Sequence, residues 1–186
     1  MRKINKSVEN PIDNLILTMI ESLLDPMYKL GITANMLTLM GLLLRLWSLS
    51  GLFSGDKIAF LIGGILGYVF DCIDGHYARK YKMTSKFGDF FDHSSDILFQ
   101  AGLIYYLCCF SDLKDSCAFW PVIILYILFG IALNVHMGCQ QKIYNGKAES
   151  LNCLISLCPN VDWINITKYF GCGTFMTFSI LLGMVF

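Results

Sequence analysis

Residues 71–96 read DCIDGHYARKYKMTSKFGDFFDHSSD and hold five of the fourteen acidic residues of the chain. Acidic and small residues recur at steps of three and four in both halves: Asp71, Asp74 and Ala78, then Gly88, Asp92 and Asp96. On an α-helix such steps place side chains on one face. Four carboxylates on two facing helices would repel one another, and bound divalent cations would remove that repulsion. The stretch therefore predicts two helices with a metal site between them.

The composition indicates a membrane protein. Hydrophobic residues make up 55% of the chain and charged residues 15%, and the mean hydropathy is +0.58. A soluble domain carries roughly 25% charged residues. The net charge of zero argues against a nucleic-acid-binding protein. The start, MRKINKSVENP, lacks the apolar core of a cleaved signal peptide.

Apolar runs of about the length that crosses a bilayer occur five times. They cover residues 36–54, 58–78, 88–111, 117–138 and 168–186. The second and third runs are completed only by their aspartate-bearing halves, and acids at membrane depth usually line a site. We expect an all-α, polytopic transmembrane bundle of five to six spans, folded as one domain over residues 1–186. A sixth span, or entry of the stretch ESLNCLISLCPNV into the membrane, stays open.

The segment before the first run predicts an amphipathic helix over residues 11–30. Its polar side holds Asp13, Glu21 and Asp25. Such a helix is too polar to cross and is best placed along the cytosolic interface. Residues 1–32 would then form an interfacial segment, and residues 33–186 the transmembrane bundle. The apolar stripe comprises Ile12, Leu15, Ile16, Met19, Ile20, Leu23, Leu24 and Met27.

The distribution of basic residues predicts the orientation. Most of them fall before the first run, in the turn at residues 79–87, or after the fourth run, including Lys142, Lys147 and Lys168. Lys57 and Lys114 would lie on the opposite side. Because positive charge accumulates in cytoplasmic loops, the aspartates should face the cytosol.

The spacing D-x2-D-G-x2-A-R-x8-G-x3-D-x3-D resembles the signature of the CDP-alcohol phosphotransferases (CDP-alcohol phosphatidyltransferases), which make phospholipids in membranes. The segments at residues 10–13 and 33–38 also resemble the amino-terminal part of that family, although Ala34 stands where the family usually has proline. The fixed positions are met by Asp71, Asp74, Gly75, Ala78, Arg79, Gly88, Asp92 and Asp96.

The resemblance implies a six-span, dimeric fold and a reaction that joins an alcohol hydroxyl to the phosphorus of a CDP-linked group and releases CMP. Two Mg²⁺ or Mn²⁺ ions would neutralise the pyrophosphate. The resemblance makes Asp71, Asp74 and Asp92 the metal ligands, with Asp96 as a ligand of the second ion and the proton acceptor. The residues expected to contact the CDP group are Asn35, Gly75, Ala78, Arg79, Ser85 and Gly88.

The substrate pair stays open between two branches. Phe91-Asp92-His93 and the segment at residues 10–14 favour CDP-choline or CDP-ethanolamine with diacylglycerol, whereas the length of 186 residues favours CDP-diacylglycerol with inositol or glycerol phosphate. We lean towards the aminoalcohol branch. A divalent-cation transporter would also place acids inside spans, and a prenyltransferase would also bind a metal-pyrophosphate. The transporter would not need Gly75 and Arg79 at fixed spacing. The prenyltransferase needs two separated acidic motifs, whereas this sequence has one acidic cluster.

Several residues carry more than one interpretation. Arg45, inside the first run, would bind a lipid phosphate, pair with an internal acid, or extend to the interface. His76 and His93 neighbour the acids, although the signature leaves both positions free. Asp89 is expected to be a helix-start residue. The eight cysteines show no CxxC pair, and we expect them to be small buried apolar residues in a reducing environment.

Overall fold

The computed structural model describes residues 2–144 and 149–186, with the side chains of residues 149 and 150 left out. Lys147, predicted above to lie in the cytosol, falls outside these residues. Seven α-helices are present in the described parts, and no β-strand. They are α1 Pro11–Lys29, α2 Ala34–Ser54, α3 Lys57–Lys80, α4 Lys86–Cys109, α5 Phe119–Ile143, α6 Ile164–Thr167 and α7 Cys172–Val185. Short 3₁₀ helices cover Asp112–Asp115, Glu149–Leu157, Val161–Trp163 and Lys168–Phe170.

Polar side chains cap the helices that carry the site. The side chain of Thr33 accepts a hydrogen bond from the Met36 amide at the start of α2. Ser85 does the same for Gly88 at the start of α4, over 2.9 Å. Such caps satisfy amide groups that have no partner within the helix. Both helix starts are therefore fixed beside the predicted site.

Helices α2 and α3 pack closely because glycines line their contact. A Cβ atom added to Gly63 would lie 2.8 Å from the Leu44 carbonyl oxygen and 2.9 Å from Ser48. One added to Gly67 would lie 2.7 Å from Cγ of Arg45. Small residues allow helix backbones to approach in this way. The close approach brings the polar residues of α2 beside the aspartates of α3.

The structure confirms the predicted all-α bundle. Four segments of the described chain are long and apolar enough to cross a membrane: Ala34–Ser54, Lys57–Lys80, Phe119–Ile143 and Val161–Val185. Helix α4 matches the third predicted run but is not among these four segments. The last segment is interrupted, since α7 itself has only 14 residues and follows the short helices from Val161 to Phe170.

Helix α1 forms over almost the predicted range, but its polar side is oriented differently from the prediction. Asp13, expected on the polar outer side, turns into the bundle and accepts a hydrogen bond from the Tyr68 hydroxyl. Leu17 and Leu24 are buried, whereas Leu15, Met19 and Leu23 remain exposed. Since these three side chains recur every four residues, they form an outward apolar stripe.

One disulfide corrects the prediction for the cysteines. Cys139 in α5 is bonded to Cys158, and their Cα atoms are 5.0 Å apart. Helix α5 continues five residues past the predicted end at 138, and the following 3₁₀ helix packs directly on it. A Cβ atom added to Gly138 would lie only 2.1 Å from the Leu154 carbonyl oxygen. This close packing brings together two cysteines that are 19 residues apart.

Candidate active site

Three of the four predicted aspartates converge. One carboxylate oxygen from each of Asp71, Asp92 and Asp96 lies within 4.8 Å of the others. Asp71 is near the end of α3, and the other two are one turn apart on α4. The predicted faces of the two helices therefore meet, and carboxylates from both helices share one small volume.

Asp74 belongs to the same region but is directed towards α2. Its side chain is buried, and its Oδ2 accepts a hydrogen bond of 2.6 Å from the Thr38 hydroxyl. It does not join the group formed by Asp71, Asp92 and Asp96. Helix α2 thus fixes the orientation of the second aspartate of α3.

Arg45 lies among the carboxylates. One guanidinium nitrogen, Nη2, is 2.8 Å from Oδ1 of Asp71 and 2.7 Å from Oδ1 of Asp96. Its other terminal nitrogen donates a hydrogen bond of 3.0 Å to the Ser95 hydroxyl. The side chain is only 2% exposed. Of the three interpretations left open for Arg45, the structure therefore favours a partner of internal acids.

The donor set fits a divalent cation. Mg²⁺ and Mn²⁺ prefer carboxylate oxygens. Within the described residues, the buried Oδ1 of Asp92 accepts no hydrogen bond. An unpaired buried acceptor is costly, and a bound cation would satisfy it. Asp71, Asp92 and Asp96 are the residues placed to hold such an ion, with Asp74 adjacent to them.

Three of the four aspartates, Asp71, Asp74 and Asp92, line a cavity of about 1120 Å³. All six residues predicted to contact the CDP group line it: Asn35, Gly75, Ala78, Arg79, Ser85 and Gly88. The guanidinium of Arg79 lies over Gly75, since a Cβ atom added there would be 3.2 Å from it. A Cβ atom added to Gly88 would lie 3.0 Å from Oδ1 of Asn35. The missing side chains at these glycines thus leave room for neighbouring polar groups.

Asp13 and Lys3 are among the other charged residues that line the cavity. Burial raises the pKa of Asp13 to about 7, against the opposing effect of the hydrogen bond from Tyr68. Burial, followed by the nearby positive charge of Arg79, lowers the pKa of Lys3 to about 8. Lys3 and Arg79 therefore place two repelling cations on one wall, which is a suitable environment for an anionic group.

The neighbouring histidines differ in position. His76 pairs with Glu21 of α1 at 3.0 Å and lies outside the carboxylate group. His93 lies 3.5 Å from Asp89 and 3.9 Å from Asp92. Asp89 is in the first turn of α4, which confirms its predicted place at a helix start.

Sequence reasoning missed Thr38 and Tyr68 and placed Asp13 on the wrong side of α1. Thr38 and Arg45 are seven residues apart, which puts both on one face of α2. That spacing could have indicated that this face meets the aspartates. Tyr68 precedes Asp71 by three residues and could have been assigned to the cavity face by the same rule.

The fold and the site together define a class: an integral membrane protein of α-helices with a carboxylate cluster on an internal cavity. The sequence profile of the family described as CDP-alcohol phosphatidyltransferase matches residues 31–181. The chain belongs to this family. Family membership favours a transferase over the cation transporter and the prenyltransferase considered above.

A curated relative is the archaetidylinositol phosphate synthase of Pyrococcus horikoshii, which is 30% identical over 105 residues. The alignment covers 56% of this chain and 52% of the relative, so the chain spans about half the length of the curated protein that it matches. No solved structure shows a significant match.

Proposed function

We propose that this protein is a divalent-cation-dependent membrane transferase that moves a substituted phosphate group from a CDP-alcohol to the hydroxyl of an acceptor alcohol and releases CMP. The observation that carries the proposal is the convergence of Asp71, Asp92 and Asp96 within 4.8 Å, with Asp71 and Asp92 lining the cavity. Mg²⁺ or Mn²⁺ bound there would neutralise the pyrophosphate of the donor and stabilise the departing CMP.

The residues of the chain supply positioning and proton transfer. Asp96 is the proposed proton acceptor: its side chain is 42% exposed and lies beside Asp71 and Asp92, which line the cavity. Arg45 holds Asp96 and Asp71 in a fixed orientation. Arg79 offers a planar fork to phosphate oxygens. Thr38 fixes Asp74, the remaining proposed ligand, through the hydrogen bond between their side chains.

For the substrate pair, we propose a CDP-linked lipid as donor and a polar alcohol, of the inositol or glycerol phosphate type, as acceptor. This choice replaces the aminoalcohol branch favoured by Phe91-Asp92-His93. It is supported by the name of the curated relative, an archaetidylinositol phosphate synthase. It is also supported by Lys3 and Arg79 on the cavity wall, since a phosphorylated acceptor needs cationic partners.

We further propose that the site faces the cytosol and that the chain forms a homodimer. The bias of basic residues towards the site end of the helices supports the orientation. The homodimer rests on the family resemblance alone and stays a prediction.

The test is CMP release by the purified protein in detergent or nanodiscs. One set of reactions contains CDP-diacylglycerol with inositol, inositol phosphate or glycerol phosphate. A second set contains CDP-choline or CDP-ethanolamine with diacylglycerol. We expect CMP only in the first set, loss of the signal with excess chelator, and recovery with Mg²⁺ or Mn²⁺.

Matched variants separate the site from the rest of the chain. Asp71→Asn should abolish CMP release, whereas Asp115→Asn, an exposed acid in the 3₁₀ helix at Asp112–Asp115, should leave it unchanged. CMP release from CDP-choline alone would favour the aminoalcohol branch instead of the proposed substrate pair. Full turnover in excess chelator would contradict the proposed metal requirement.

A further inference from the structure

The interior of the bundle contains a buried cation to which the proposed reaction gives only a positioning role. Arg45 is one of the largest fully buried side chains in the described residues, and it contacts two of the carboxylates proposed as metal ligands. A buried arginine is retained only where acids and hydrogen-bond acceptors surround it. Its position within the metal cluster itself therefore needs a separate account.

The surrounding packing fixes Arg45 in place. Its aliphatic stem lies against Gly67, where an added Cβ atom would be 2.7 Å from Cγ. At the other end of the side chain, Nη1 donates to Ser95 and Nη2 lies between Asp71 and Asp96. Contacts from α3 and α4 thus hold both the stem and the guanidinium. The position of the arginine side chain is therefore determined by specific packing and polar contacts.

The position of Nη2 resembles that of an ion bridging two carboxylates. It is 2.8 Å from Oδ1 of Asp71 and 2.7 Å from Oδ1 of Asp96. Metal–oxygen distances are roughly 2.0–2.1 Å for Mg²⁺, so an ion bridging the same two oxygens from the α2 side would overlap this nitrogen. Asp92, whose buried Oδ1 accepts no hydrogen bond from the described residues, belongs to the same group of carboxylates and remains available for one ion.

We propose that Arg45 is the resident second cation of this site, so that each chain binds one divalent ion instead of the two that the sequence predicts. The guanidinium neutralises Asp71 and Asp96 from the α2 side, and the divalent ion binds on the cavity side with Asp92. This inference rests on the cation site proposed above, and it changes the number of ions and the origin of the second positive charge.

The test counts metal ions without using activity. The purified full-length protein, stripped with chelator and desalted, is titrated with MnCl₂ while electron paramagnetic resonance measures free Mn²⁺. We expect one Mn²⁺ per wild-type chain. We also expect one for Arg45→Lys, which keeps the charge, and two for Arg45→Gln, which vacates the bridging position. The control is Ser48→Ala, which removes the buried hydrogen bond from the Ser48 hydroxyl to the Phe60 carbonyl oxygen. This variant should bind one Mn²⁺.

Each outcome is decisive. Two Mn²⁺ ions per wild-type chain would overturn the role of Arg45 and leave the proposed transferase intact. One or no Mn²⁺ in a helical Arg45→Gln protein would also overturn it, because the arginine would then only position the ligands. Should Arg45→Gln not fold, the wild-type and Arg45→Lys counts decide. No Mn²⁺ binding by the wild type would remove the metal site itself and, with it, both proposals.

Discussion

Gly67→Ala tests whether the packing of α2 against α3 controls the chemistry. The added Cβ atom would lie 2.7 Å from Cγ of Arg45, about 0.7 Å inside the 3.4 Å at which ordinary contacts begin. The Gly41 carbonyl oxygen at 3.2 Å and the Arg45 amide nitrogen at 3.3 Å block relief in other directions. The stem of Arg45 must therefore move, and its guanidinium must leave the position between Asp71 and Asp96.

The expected magnitudes follow from that displacement. Overpacking of a buried contact costs about 1–3 kcal/mol, while alanine in place of glycine within a helix returns about 1 kcal/mol. The net loss of stability is thus small. A misplacement of about 1 Å among catalytic groups can cost about 10²-fold in rate. We therefore expect CMP release to fall by about 10²-fold in a protein that still folds.

The control is Gly130→Ala in α5, where the added Cβ atom would meet only Phe175, at 4.0 Å. This variant should keep full activity and gain slightly in unfolding temperature. Both proteins are compared by thermal unfolding in detergent and by CMP release at saturating metal. Wild-type turnover by Gly67→Ala would show that the placement of Arg45 by this contact is irrelevant to catalysis, and the reasoning would fail.

Three other predictions concern single groups. Asp96→Asn should keep much of its CDP binding but lose turnover by about 10²–10⁴-fold, whereas Asp71→Asn should lose CDP binding as well. Equal CDP binding by both variants, measured calorimetrically, would contradict this division of roles. Burial raises the pKa of Asp13 to about 7, so the folded state binds this proton more tightly than the unfolded state does. The stability of the wild type should therefore fall as pH rises from about 4 through about 7. An equally steep fall in the unfolding temperature of Asp13→Asn would refute this assignment to Asp13. A single labelling cysteine introduced at Lys82 should react with an impermeant reagent only from the cytosolic side. Labelling of this cysteine from outside intact cells would contradict the proposed orientation.

Local spacing was enough to predict the carboxylate cluster. Asp71, Asp92 and Asp96 converge as their three- and four-residue steps indicate, because helix periodicity determines which side chains share a face. The extents of α2 and α3 were also close to the predicted runs, since apolar length and polar caps determine where such helices begin and end. These features depend on neighbours within one or two helical turns.

Features that depend on the rotation of one helix against another could not be predicted. Hydrophobic periodicity placed Asp13 on the outer side of α1, but α1 packs with that residue beside Tyr68. In a membrane protein an apolar side chain can face lipid as well as the core, so Leu15, Met19 and Leu23 stay outside. The apolar stripe therefore did not identify the buried face. The pairing of Cys139 with Cys158 likewise required the fold of the chain after α5.

Two features give opposite indications of the membrane orientation. Arg79, Lys80, Lys82 and Lys86 cluster at the carboxylate end of α3 and α4, which favours the cytosol. The Cys139–Cys158 disulfide lies in the region after α5 that the same charge rule assigns to the cytosol, where disulfides are rare.

The charge bias is the stronger indication, because it acts during insertion, before any side chain is buried. The two sulfur-bearing residues are 0% and 3% exposed, so an attacking thiolate has little access to the bond once it has formed. Burial therefore allows this disulfide to persist in a reducing compartment. The proposed cytosolic orientation would also place the cavity on the side where CDP-linked donors carrying charged pyrophosphate can reach it from water.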